Sequence, residues 1–168
     1  MKTFENFVVV PTNRLAHHAA DKIGQSLGIH KPLYIFGAAG TGNTHLLMAI
    51  ADQLHKRGKT AQYLSCQQFC DEMIYAIKTG TNAEFRMKYY EADIILMDGL
   101  QYVDGKETTQ GELVSILDKR VSDHKQTVFA GSIPPSQISL WNSELSSCLT
   151  GGLCIEIQVP NYGMQRLM

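Results

Sequence analysis

The chain has 168 residues, 44% of them apolar and 18% charged, a size and composition that suit one domain with a single core and exclude a low-complexity or disordered polypeptide. Its 15 basic residues stand against 16 acidic ones, so no clustered positive field exists to hold a nucleic-acid backbone, and direct sequence-specific DNA binding is not expected. No apolar run approaches the roughly 20 residues that span a bilayer, and MKTFENF carries no hydrophobic signal segment, so no membrane association and a cytoplasmic location are expected.

The extended FVVVP leads to Thr12-Asn13, an N-cap pair that opens a helix expected to run to about Leu27 and to stop at Gly28. LYIF, 33–36, is a short apolar strand feeding the glycine-rich GAAGTGNTH, 37–45. From Thr44 onward, Leu46, Leu47, Ile50, Ala51 and Leu54 form a helical stripe that Lys56, Arg57 and Gly58 close. AQYLS, 61–65, predicts a second strand, and helical patterns follow over 67–78 and 82–90 with Thr79-Gly80 between them. ADIILMDG, 92–99, is a continuous apolar strand ending in an acid, the pattern of a parallel sheet covered on both faces. A helix near 107–123, the strand QTVFAGS at 126–132, the break Pro134-Pro135, a short polar helix around 142–148 and the strand LCIEI at 153–157 complete the order. Strands alternating with helices predict right-handed crossovers and a doubly wound α/β fold of about five parallel strands, one domain over 1–168.

The stretch GAAGTGNTH follows the phosphate-binding pattern G-x-x-x-x-G-K-[ST] except that Asn43 stands where lysine belongs. Gly37, Gly40 and Gly42 let backbone N–H groups turn inward around phosphates, and the helix N-terminus behind them adds a partial positive charge. Thr41, Asn43, Thr44 and His45 complete the candidate phosphate-binding set, with the Thr44 hydroxyl placed to hold magnesium. Asn43 offers a neutral amide on a shorter stem. Loss of a hydrogen bond to a charged group, about 1.5–3 kcal/mol, weakens binding by about one to two decades.

Several segments in register resemble the bacterial replication initiator DnaA family of AAA+ ATPases: TFENFVVVPTNRLAHHAA, PLYIFGAAGTGNTHLLMAIA with its Walker A loop, FRMKYYEADIILMDGLQYVDGKETTQGEL with its Walker B strand, then IPPSQI and IEIQVP. The resemblance implies a three-layer P-loop NTPase fold, the AAA+ α/β subdomain. It implies ATP or ADP bound between the N-terminal segment around Val9 and Asn13 and the glycine loop, with Mg2+ held through Thr44 and Asp98. It also implies a γ-phosphate sensor at Ser132. The departures from the family fall on the chemistry. Gly99 replaces the second Walker B acid, and Glu144, Ser146 and Cys148 occupy places where the family carries trans-acting arginines. The family's helical lid and its C-terminal helix-turn-helix domain are expected to be missing after Met168.

The leading expectation is therefore a degenerate DnaA-like domain, linked to replication initiation or its regulation. Nucleotide binding is weakened or lost and efficient hydrolysis absent, so the domain would act as a monomer through contacts with initiator, helicase or clamp. Two alternatives stay open: a functional ATPase or helicase-loader-like protein in which another basic residue replaces the lysine, and a decayed remnant without activity. Lys31, the basic side chain nearest in sequence, lies at the wrong end of its strand for that substitution. Cys66, Cys70, Cys148 and Cys154 lack C-x-x-C spacing and read as buried reduced thiols. His17, His18, His45 and His55 have no partner at metal-ligand spacing, and Met73, Met87 and Met97 read as core filler. Asp104, Glu107 and Glu112 read as solvated or capping acids, and Trp141 as a packing residue with a partner anchor as its alternative.

Overall fold

The computed structural model describes residues 1–26 and 31–159. In chain order the elements are α1 (Arg14–Gln25), β1 (Leu33–Gly37), α2 (Asn43–Lys56), β2 (Ala61–Ser65), α3 (Cys66–Thr79), α4 (Asn82–Glu91) and β3 (Ile94–Asp98). A 3-10 turn (Leu100–Val103) follows, then α5 (Glu107–Ser122), β4 (Gln126–Gly131), α6 (Pro135–Ile138), α7 (Ser143–Thr150) and β5 (Leu153–Ile157). The strands form one parallel sheet in the order β2-β3-β4-β1-β5.

Alternation along each strand sorts the side chains onto two faces. Leu33, Ile35, Ile94, Leu96, Val128 and Ala130 pack on one face with Ala20 and Ile23 of α1 and Leu46, Leu47 and Ile50 of α2. Tyr34, Ile95, Met97 and Phe129 pack on the other with Phe69, Phe85, Tyr89, Leu117 and Leu149 from α3, α4, α5 and α7. Burial on both faces explains why β3 reads as an unbroken apolar run. This layering brings the C-terminal ends of β1, β3 and β4 side by side, the edge where doubly wound sheets bind ligands.

At the opposite edge, Arg120 is fully buried in the last turn of α5. Its guanidinium donates to Tyr89 O at 2.7 Å, Ala92 O at 2.8 Å, Gln126 O at 2.6 Å and Thr127 Oγ1 at 3.0 Å. One side chain thus closes the carbonyls left at the end of α4 and at the start of β4. Burial pushes its pKa down to about 10, which leaves it charged at neutral pH.

Three local differences from the sequence expectations have physical causes. Asn13 precedes α1 but does not cap it: its Oδ1 accepts from Val10 N at 2.8 Å and its Nδ2 donates to Val8 O at 3.0 Å, so the amide braces the chain before the helix. Pro134-Pro135 does not only interrupt, because Pro135 sits at the first position of α6, where its fixed φ and missing N–H fit a helix start. Met87 is 48% exposed on α4, unlike the buried Met73 and Met97. The expected stop of the first helix at Leu27 and Gly28 lies outside the described residues, and Ser26 is the C-cap of α1.

Candidate functional site

The glycine loop joins β1 to α2 through two left-handed glycines, Gly40 at φ 82° and Gly42 at φ 107°. Among the described residues no side-chain cap closes the N-terminus of α2, and the first amide to find an acceptor there is Leu46 N, bonded to Gly42 O at 3.0 Å. The helical amides before it are available to an anion. Gly37 is required by close approach: a Cβ there would meet Ile157 O at 2.4 Å. A cleft of about 470 Å³ lies over this turn, lined among others by Gly40, Asn43, Thr44, Asp98, Gln101 and Ser132.

Asn43 does not point its amide donor at this cleft. Its Nδ2 donates to Gly37 O at 3.1 Å and to Gly131 O at 3.2 Å, tying the ends of β1 and β4 together. Both amide hydrogens are then in use. Because two carbonyls flank that atom, it is the nitrogen and not the oxygen that must face them.

Thr44 Oγ1 donates to Asp98 Oδ2 at 2.5 Å, and Tyr63 Oη donates to the same oxygen at 3.2 Å. The carboxylate at the end of β3 is thereby aimed at the first turn of α2. Burial, and then the Asp98 charge, push the Tyr63 hydroxyl up to about 12, so it remains a donor. The same two causes push the Cys66 thiol up to about 12, which makes it inert. A hydroxyl and a carboxylate facing each other are the donor set that a magnesium ion would use, its remaining positions filled by water and phosphate. Among the described residues no group of three or more His, Cys, Asp and Glu side chains could hold a metal alone.

Gly99 follows with φ 76°, a left-handed conformation at the place of the second acid. The next turn carries Gln101, which sequence reasoning missed. Its Oε1 accepts from Ser132 N at 3.2 Å, linking the Walker B turn to the end of β4. Tyr34 Oη donates to Ile133 O at 2.6 Å and fixes the following residue from below. Ser132 itself is exposed and lines the cleft.

His45 faces the N-terminal segment, with Nε2 2.8 Å from Thr3 O and 2.9 Å from Asn6 Oδ1. Phe7 packs against it edge-on at 5.0 Å and stacks on His17 at 5.5 Å. The N-terminal segment is thus seated on α2, and it brings Lys2 to the lining of the phosphate cleft. Lys31, by contrast, has its ammonium 3.1 Å from His124 Nδ1, before the start of β1. The nearest basic side chain in sequence is therefore not the one that reaches the cleft, and only the fold could show this.

A second cleft of about 280 Å³ adjoins the first through shared Ala39 and Gly40, and Val10, Thr12, Asn13 and Thr41 line it with Ile157. Val9 is 44% exposed and does not line it. The Thr12 hydroxyl is buried and finds no hydrogen-bond partner among the described residues, the condition of a group that a polar ligand would satisfy. The two adjoining clefts, of about 470 and 280 Å³, leave room for an extended polar ligand. Val10 and Thr12 lie at one end of this space, Gly40 to Thr44 at the other.

The positions where the resemblance leads arginines to be expected, 144, 146 and 148, lie on α7. Glu144 is exposed, Ser146 and Cys148 are half-buried, and the Cys148 thiol reaches Asp118 Oδ1 at 3.5 Å. Trp141 packs against the core on the α7 side of the sheet.

The model of the bacterial DnaA ATPase domain matches residues 1–156. The chromosomal replication initiator protein DnaA of Deinococcus radiodurans is 38% identical over 163 residues, covering 95% of this chain and 35% of that protein. A structure of AMPPCP-bound DnaA from Aquifex aeolicus superposes with a TM-score of 0.91 at 36% identity, covering 95% of this chain and 51% of that one. The DnaC helicase loader superposes at 0.76 with 13% identity over 95% of this chain and 97% of its own, which shows a shared fold alone. This chain spans about a third of the length of the curated initiators that it matches. On the residues of its loop, its Walker B strand and its sheet order, the chain belongs to the bacterial DnaA ATPase-domain family.

Proposed function

We propose that this domain binds adenine nucleotide weakly, does not hydrolyse it efficiently, and serves replication initiation or its regulation through contacts with other replication proteins. The observation that carries this is Asn43, whose two amide hydrogens are committed to Gly37 O and Gly131 O. A loop lysine would instead place a charge on the outer phosphates, where it counts most as charge develops during phosphoryl transfer. Gly99 removes the second Walker B acid, and α7 carries no arginine at 144, 146 or 148. Each loss acts on hydrolysis, whereas the glycine turn, Thr44–Asp98 and the Thr12 cleft support retained binding. The AMPPCP-bound relative from Aquifex aeolicus makes ATP the leading ligand.

Isothermal calorimetry with ATP and ADP, with and without magnesium, tests the binding half. A dissociation constant about one to two decades weaker than that of the Asn43→Lys variant is expected. Phosphate release tests the other half: magnesium-dependent turnover by the unaltered chain, abolished by Asp98→Ala, would refute the proposal.

A further inference from the structure

We infer that Lys2 is the cation that contacts the outer phosphates of a nucleotide held at this loop, in the role that a loop lysine would fill. The inference rests on the nucleotide-binding reading above. Asn43 cannot serve, because its amide hydrogens bridge two backbone carbonyls. The cleft that Lys2 lines also contains Gly40, Asn43, Thr44 and Ser132, the positions around which the β- and γ-phosphates would lie.

The backbone around Lys2 is fastened on both sides. Asn6 Nδ2 donates to Met1 O at 2.7 Å, Thr3 N donates to Asn6 Oδ1 at 2.9 Å, and the His45 ring bonds Thr3 O at 2.8 Å. Phe7, held between His17 and His45, seats this segment against the helix whose N-terminus forms the site. Among the described residues, Lys2 makes no ion pair. Among the described residues that line the cleft, Asp98 is the single carboxylate, and it already accepts from Thr44 and Tyr63. The ammonium is free for an anionic ligand.

The position also accounts for weak rather than absent binding. A lysine inside the loop is steered by the loop backbone, whereas the exposed stem of Lys2 loses rotamer freedom when it closes on phosphate. The same geometry couples nucleotide binding to the order of the N-terminal segment. ATP, with its outer phosphates, should depend on Lys2, and AMP should not.

Calorimetric titration with ATP and with AMP separates the outcomes, using the unaltered chain, Lys2→Ala, Lys2→Arg and Lys31→Ala. Lys2→Ala is expected to weaken ATP about tenfold or more and AMP by less than about twofold, because only the charge-assisted contact is lost. Lys2→Arg should keep most of the ATP affinity, Lys31→Ala all of it, and added salt should weaken ATP binding less in Lys2→Ala than in the unaltered chain. If the unaltered chain binds ATP and Lys2→Ala binds it equally well, the assignment of Lys2 falls and the nucleotide site stands. Equal losses for ATP and AMP overturn it too, since they point to loss of the segment's packing rather than of a charge. No ATP binding by the unaltered chain overturns both.

Discussion

Asn43 exchanges a ligand contact for an internal one. A neutral amide with two donors suits two backbone carbonyls 3.1 and 3.2 Å away, and a lysine ammonium at that place would face the cleft instead. Asn43→Ala leaves Gly37 O and Gly131 O without these donors, so a loss of about 1–3 kcal/mol in urea-denaturation stability is expected. Asn43→Lys should lose part of the same stability while tightening ATP. If calorimetry shows a tighter complex with no fall in the urea midpoint, the brace has no energetic weight. Gly99 poses the opposite case. Its φ of 76° costs a non-glycine residue roughly 1–2 kcal/mol, somewhat less for aspartate. Gly99→Asp is therefore expected to destabilise by about 1 kcal/mol and, with no loop lysine and no arginine on α7, to leave phosphate release at background. The second acid cannot be restored without strain at the turn that Gln101 ties to Ser132.

The elements themselves were largely legible, because their apolar patterns are strong. AQYLS and LCIEI are β2 and β5 to the residue, and the α/β order and parallel sheet follow from the unbroken apolar strands. The misses are contacts that no spacing encodes. Lys2 and the loop it faces are about forty positions apart in sequence, and α6 was hidden because proline reads as a breaker before it reads as a helix start. Arg120, which no motif singles out, is fully buried. Arg120→Lys removes the planar fork that serves five oxygens, at the end of α4, in the link to β3 and at the start of β4. A loss of about 3 kcal/mol or more in stability is expected, enough to separate it from the exposed control Lys119→Ala in a thermal melt. Between β2 and β3, Asp93 accepts from Thr60 N at 2.8 Å and Thr60 Oγ1 at 2.9 Å. These bonds, the backbone one foremost, hold its carboxyl below its ordinary 3.8. A depressed folded pKa contributes stability above the unfolded value that is lost as pH falls through the folded one. Stability measured below about pH 4 should therefore fall less steeply in Asp93→Asn than in the unaltered chain.

At the scale of the molecule, the strand ends gather the residues of the proposed nucleotide site on one edge, while α7 holds the positions where the family resemblance leads inter-subunit arginines to be expected. A cation projected from one subunit onto the phosphate of the next favours nucleotide-dependent assembly, because opposite charges meet across the contact. On α7 the corresponding side chains are Glu144, Ser146 and Cys148, with Asp118 beside the thiol, so that face offers negative charge to a negative ligand. Like charges at such a contact disfavour it. Lys2, which reaches the loop from within its own chain, supplies charge to the site without any neighbour. Sedimentation velocity should accordingly find this protein monomeric, with the same sedimentation coefficient in the absence and presence of saturating magnesium-ATP. The triple variant Glu144→Arg, Ser146→Arg, Cys148→Arg restores the sign of that face, and ATP-dependent larger species are expected only there and only when combined with Asn43→Lys. Assembly of the unaltered chain on adding ATP would show instead that its subunits meet through another surface, and that the altered α7 does not set its oligomeric state.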